Sequence, residues 1–134
     1  MTLDNELFPI ETAVSECEKG IQDGTLNADT FVRQIRSVAG QEAQIAKCGE
    51  VIALLSGKLD RLKLVRLKEL KNQYPHDSRI NALGRRAVNS YLAVSGVMAM
   101  VSEMLVSPEM RPTVQAQNRE AREGFERIFG GFFQ

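Results

Sequence analysis

The sequence predicts an all-α protein: one irregular bundle of five or six helices over residues 1–134, with an apolar helix, about 79–106, at its centre. Three observations predict it. The chain has 134 residues, a length that suits one domain of ~100–150 residues. Its 43% hydrophobic and 25% charged residues, with 6% aromatics and no Trp, favour helices over strands. Apolar residues recur at helical spacing between Gly and Pro punctuation, and no strand-like alternation persists anywhere.

The first helix is expected from about Pro9 to Asp23, with residues 1–8 flexible. Pro9 suits a first helical turn, where a missing N–H costs nothing. Ile10, Ala13, Val14, Cys17 and Ile21 then share a face, with Glu11, Glu16, Glu18 and Lys19 elsewhere. Gly24 follows as a C-terminal stop. Asn27 can cap a second helix by accepting from the free N–H groups one turn on, and Phe31, Ile35 and Val38 form its inner side.

From Gly40 to Gln73 the pattern remains helical, interrupted by Gly49 and Gly57. One continuous helix over 28–73 would be about 69 Å long. A globule of this size has a radius of gyration near ~14 Å, so a break near Gly40 or Gly57 is expected. YPHDS (74–78) is the clearest boundary: Pro75 disfavours helical geometry at Tyr74, and Asp77 or Ser78 can cap a new helix.

That helix contains YLAVSGVMAMV, an 11-residue apolar run flanked by polar residues. A membrane span needs ~20 apolar residues, so the run is expected in the core. Ser95 with Ala99 and Gly96 with Met100 lie one turn apart there, and Met98, Met100 and Met104 are adaptable packing residues. They fit core packing better than a Met-rich groove for partner helices. Ser107–Pro108 or Pro112 opens a polar last helix. It ends at Gly130 and Gly131, leaving residues 130–134 as an apolar tail.

The formal net charge of +0 conceals segregation. Residues 1–57 hold four cations and nine acids, a net −5. Residues 58–90 hold nine cations and three acids, a net +6, and the remainder carries −1. A wholly basic protein is excluded; a basic face is not. Lys58, Arg61, Lys63, Arg66, Lys68, Lys71, Arg79, Arg85 and Arg86 form that segment. They are candidates for phosphate contact, for a solvated face, or for docking against the acidic half. No aromatic is interleaved for base stacking and no nucleic-acid-binding motif is present.

Along 50–70, Ile52, Leu55, Leu59, Leu62 and Val65 share one broad face of a continuous helix, while Leu64 and Leu67 point away. A helix apolar on two sides is sandwiched in a core or touches a partner. Leu59, Leu62, Leu64 and Leu67 are therefore candidate partner-binding residues; the C-terminal Phe125, Phe129, Phe132 and Phe133 are expected to fold back and close the core, and are otherwise a second candidate partner-binding surface. The sequence expectation is a non-enzymatic interaction or adaptor protein of chaperone or accessory type, a homodimer or bound to another protein. A nucleic-acid-binding regulator is the alternative.

No catalytic, cofactor-binding or metal-binding residue is expected. His76, the sole histidine, stands beside Asp77 without nucleophile or oxyanion context. Neither GxGxxG nor GxxxxGK[ST] is present, and two cysteines with one histidine cannot make a four-ligand zinc site. No small-molecule substrate is evident. The acids and Pro9 of MTLDNELFPIE do not resemble a secretory signal. With Cys17 and Cys48 as free thiols in a reducing compartment, a cytoplasmic protein without a membrane segment is expected.

Overall fold

Every helix begins or ends at a chemically legible signal, although not always the expected one. The computed structural model describes residues 2–134 and contains six helices and no strand among them. Helix α1 (Leu3–Gln22) opens at Thr2, whose Oγ1 accepts from the Asn5 amide at 3.3 Å. The helix thus starts six residues before Pro9. Residues 3–8, expected to be flexible, are helical, with Leu7 buried and Glu6 paired to Arg66; Met1 lies outside the described residues. Pro9 sits inside the helix, which loses one backbone bond there. Ile10, Ala13, Val14 and Cys17 face the core as expected, whereas Ile21 is exposed.

Gly24 adopts φ 81° after α1, the left-handed stop that glycine takes at least cost. Helix α2 (Ala28–Arg36) is capped by Asn27, whose Oδ1 accepts from Asp29 and Thr30 at 2.8 and 3.4 Å. The expected break falls at Gly40, with φ 93°. Helix α3 (Gln41–Arg61) runs straight through Gly57. It stops instead at Lys63, a non-glycine residue at φ 51°. Helix α4 (Leu64–Gln73) starts there in a new direction.

That turn at Lys63 corrects the two-sided helix. Leu55 and Leu62 on one side, and Leu64, Leu67 and Leu70 on the other, are all 7% exposed or less. They belong to two helices that each bury one face. Val65, expected on the inner face, is 67% exposed because the backbone turns two residues earlier.

Helix α5 (Ser78–Leu105) is capped by the Asp77 carboxylate, which accepts from the Arg79 amide at 2.9 Å. It packs against all five other helices, so the expected central helix is present. Helix α6 (Arg111–Phe129), with Pro112 in its first turn, brings its backbone close to α5 alone, while Lys68 of α4 stands over its Phe129 ring at 5.9 Å. Its antiparallel register is marked by Arg111 Nε donating to Glu103 O, Asn118 Nδ2 donating to Ala99 O, and Phe125 stacked on Tyr91.

The charge segregation is resolved largely inside the chain. Arg66 makes two hydrogen bonds to Glu6 at 2.7 and 2.9 Å, and Arg79 reaches Asp4 as well as Asp77. Arg86 bridges Glu11 and Glu18 at 2.8 and 2.7 Å. Three cations of the basic segment thereby anchor the acidic first helix to α4 and α5. These solvent-exposed pairs fix α1 in place more than they stabilise the protein, because water screens them.

Candidate functional site

A concavity lies where the bundle leaves α5 uncovered. The first half of α5 buries one face, with Ile80, Leu83 and Ala87 5% exposed or less, and turns Arg79, Ala82, Arg85 and Asn89 to solvent. Past Tyr91 only one edge is buried, through Val94 and Val101, while the intervening residues are half-exposed and Met100 is 53% exposed. The helix is long and apolar enough, by length and composition, to cross a membrane. Its most apolar 18-residue window has mean hydropathy 1.3, and 17% of that window is buried. The expectation that YLAVSGVMAMV is wholly core is thus corrected. The run is core along one edge and surface elsewhere, because α6 covers it only loosely.

The uncovered side forms a groove of about 950 Å³ between α5 and α6, with Ile52 and Leu59 of α3 at its edge. From α5 it is lined by every residue from Tyr91 to Glu103 except the buried Val94 and Val101. Gln115, Asn118, Arg119, Arg122 and Phe125 line it from α6. A second hollow of about 380 Å³ shares Met100, Glu103 and Gln115 with the first and extends the groove toward Arg36, Met104 and Arg111. Thirteen residues of α5, Tyr91 to Glu103, run along the groove, roughly 18 Å at ~1.5 Å per residue. That is just over three helical turns.

The arginines around this groove are distributed unevenly. Arg36 Nη2 donates to Met104 O at 3.0 Å and Arg111 Nε to Glu103 O at 3.1 Å, so both hold the last carbonyls of α5. Arg122 pairs with Glu126 at 3.1 Å on its own helix. Arg36, Arg111 and Arg119 have no carboxylate partner among the described residues. Glu103 is the one acid lining either hollow.

The partner-binding residues expected from sequence lie mostly elsewhere. Leu62, Leu64, Leu67, Phe129 and Phe133 are buried in the chain's own core. Phe132 is half-buried beneath Lys68 and Lys71, whose Nζ atoms stand 5.3 and 5.0 Å from its ring centre. Leu59 and Phe125 alone of the eight line the groove. Phe125 stacks on Tyr91 with ring centres 4.3 Å apart and planes 3° from parallel. The C-terminal phenylalanines therefore close the bundle: Phe133 packs on Gly84, and the carbonyls of residues 132 and 133 accept from Lys71 and Arg85.

Six of the nine cations proposed for phosphate contact are engaged within the chain. Arg66, Arg79 and Arg86 hold α1, while Lys68, Lys71 and Arg85 hold the tail. Lys58, Arg61 and Lys63 make no side-chain hydrogen bond or ion pair among the described residues. His76 is exposed in the 74–77 turn, and the Asp77 carboxylate beside it is committed to the α5 cap and Arg79. Among the described residues no group of three or more His, Cys, Asp or Glu side chains could hold a metal ion.

Sequence reasoning passed over Arg36, Arg111, Arg119 and Arg122. On α6 the common face of Gln115, Asn118, Arg119 and Arg122 was visible in their spacing; Glu126 shares it and pairs with Arg122, while Glu120 points away. The apolar face opposite them was not visible, because it depends on what the other helices leave bare. No family model, curated protein or solved structure matches the chain.

Proposed function

We propose that this chain is a non-enzymatic interaction protein that binds another protein through the groove between α5 and α6, and that it works in the cytoplasm. The observation that carries the reading is the half-covered apolar run of α5, Tyr91 to Val101, which borders the groove, whereas the other exposed large apolar residues, Phe8, Ile45, Leu54 and Val65 among them, line neither hollow. A continuous exposed apolar surface rimmed by polar residues marks an interaction site more often than not. Met98, Met100 and Met104 suit it, because unbranched thioether side chains adjust to the shape of what they meet. Self-association through the 59–67 leucines loses its support, since Leu62, Leu64 and Leu67 are already buried within one chain. The nucleic-acid reading retains only Lys58, Arg61 and Lys63 as unengaged cations.

A photo-crosslinking residue at Met100, compared with one at the exposed Gln117 outside the groove, tests the reading in the native host. Protein adducts at position 100 that are missing at 117, and that disappear when Ala99→Arg closes the groove, are the expected result. Equal yields at both positions would overturn it.

A further inference from the structure

We infer that the occupant of the α5/α6 groove is an amphipathic helix of another protein whose polar face is acidic, an inference that rests on the interaction reading above. The shape argues for a helix. The groove runs alongside just over three turns of α5, and most of that wall is apolar or small, with Leu92, Ala93, Gly96, Val97, Met98 and Ala99 on it. This is the geometry into which an apolar helix face lies. Ser95, Gly96 and Ala99 let an incoming backbone approach closely, and no atom lies within 4 Å of where a Cβ on Gly96 would stand. Tyr91 and Phe125 close one end of the groove.

Charge selects the kind of helix. Arg36 and Arg111, which hold the last carbonyls of α5, and the unengaged Arg119 border the two joined hollows without a carboxylate partner, against a single acid, Glu103. On α6 the groove side carries Arg119 and Arg122; Arg122 is paired with Glu126, and no acid of α6 lines the groove. A helix entering here meets apolar side chains at its centre and guanidinium groups along its edges. Carboxylates flanking its apolar stripe would therefore be attracted, and lysines would be repelled. The same rim disfavours a second copy of this chain, because a two-fold contact across the groove would bring the arginine edges of both copies together. The acids of α1 facing α4 and α5, which could otherwise serve as such a ligand, are already held by Arg66, Arg79 and Arg86.

Fluorescence anisotropy with two labelled helical peptides tests this. Both carry leucine at i, i+3, i+4 and i+7 over four turns; one has glutamate and the other lysine at the flanking positions. The acidic peptide should bind the intact protein, with affinity that falls as salt rises and is about tenfold weaker for the double variant Arg119→Glu, Arg122→Glu. Circular dichroism of that variant should match the parent, since both arginines are solvent-exposed. Three results would overturn the acidic-helix inference while leaving the interaction reading standing, provided position 100 still gives adducts. The first is equal binding of the two peptides. The second is binding of neither. The third is a dimer in light scattering that Met100→Glu converts to monomer, which makes a second copy the occupant. Flotation with phosphatidylcholine–phosphatidylglycerol vesicles that blocks the acidic peptide would identify a lipid surface instead, and would overturn the inference too. Failure of crosslinking at position 100 would remove both.

Discussion

The ring of Phe133 occupies the space that a Cβ on residue 84 would need, so α5 and the C-terminal tail fit together only because residue 84 is glycine. In an open helix, Gly→Ala gains up to ~1 kcal/mol. Here Gly84→Ala should instead destabilise by about 1–3 kcal/mol through overpacking, visible as a lower melting temperature. Phe133→Ala in the same chain should remove most of the additional cost of the alanine, a coupling read from a double-mutant cycle. A melting temperature unchanged by Gly84→Ala would mean that the tail is not seated there.

Arg86 ties stability to pH through Glu18. Its hydrogen bond, opposed by partial burial, holds the Glu18 carboxyl below its ordinary value of 4.5. A carboxyl with a depressed folded value contributes stability that is complete above the unfolded value and is lost as pH falls through the folded one. Stability should therefore decline below about pH 4.5, and Arg86→Met should flatten that part of the profile. Both partners are more than a third exposed, so the effect at neutral pH should stay below ~1 kcal/mol. Urea midpoints between pH 6 and 3 give the comparison.

The two thiols should differ in reactivity. Cys17 is 2% exposed, and burial pushes its thiol above the ordinary 9.0, outweighing the opposing influence of Lys58 and Arg61. Cys48 is half-buried. At pH 8 a thiol reagent should label Cys48 readily and reach Cys17 only on unfolding. In a Cys48→Ser chain, labelling should then follow the unfolding transition; fast labelling of native Cys17 would contradict its position in the core.

Lys63 holds the left-handed conformation at which α3 gives way to α4. That conformation costs an L-residue roughly 1–2 kcal/mol, partly returned on replacement by glycine, which has more freedom to lose on folding. Lys63→Gly should raise stability by about 0.5 kcal/mol, whereas Lys63→Val should lower it. Chemical denaturation of the pair would show opposite signs.

Helix α6 should be the first element to open, because its backbone lies close to α5 alone and Phe129 is its one fully buried residue. Phe125→Ala removes the Tyr91 stack and should strip amide protection from 111–129 while sparing α1 to α5. Hydrogen exchange read by mass spectrometry separates this from global unfolding, in which all helices would lose protection together.

The sequence by itself determined the helices and their punctuation. Asn27, Asp77, Gly24 and Gly40 act within a few residues of themselves, so their roles are written locally. It also determined the opposed charge blocks, though not their purpose. Pro9 misled because a buried Leu7 and the Glu6–Arg66 pair, 60 residues apart in the chain, outweigh one lost backbone bond. Lys63 misled because its break carries no glycine or proline. Only the tertiary structure decided which apolar faces meet. It turned the leucines of 55–70 into two separate core faces, sent Phe133 inward, and left the second half of α5 half bare. Local spacing shows that a helix has an apolar side; coverage of that side depends on helices far away in sequence. The candidate site lies where that coverage runs out.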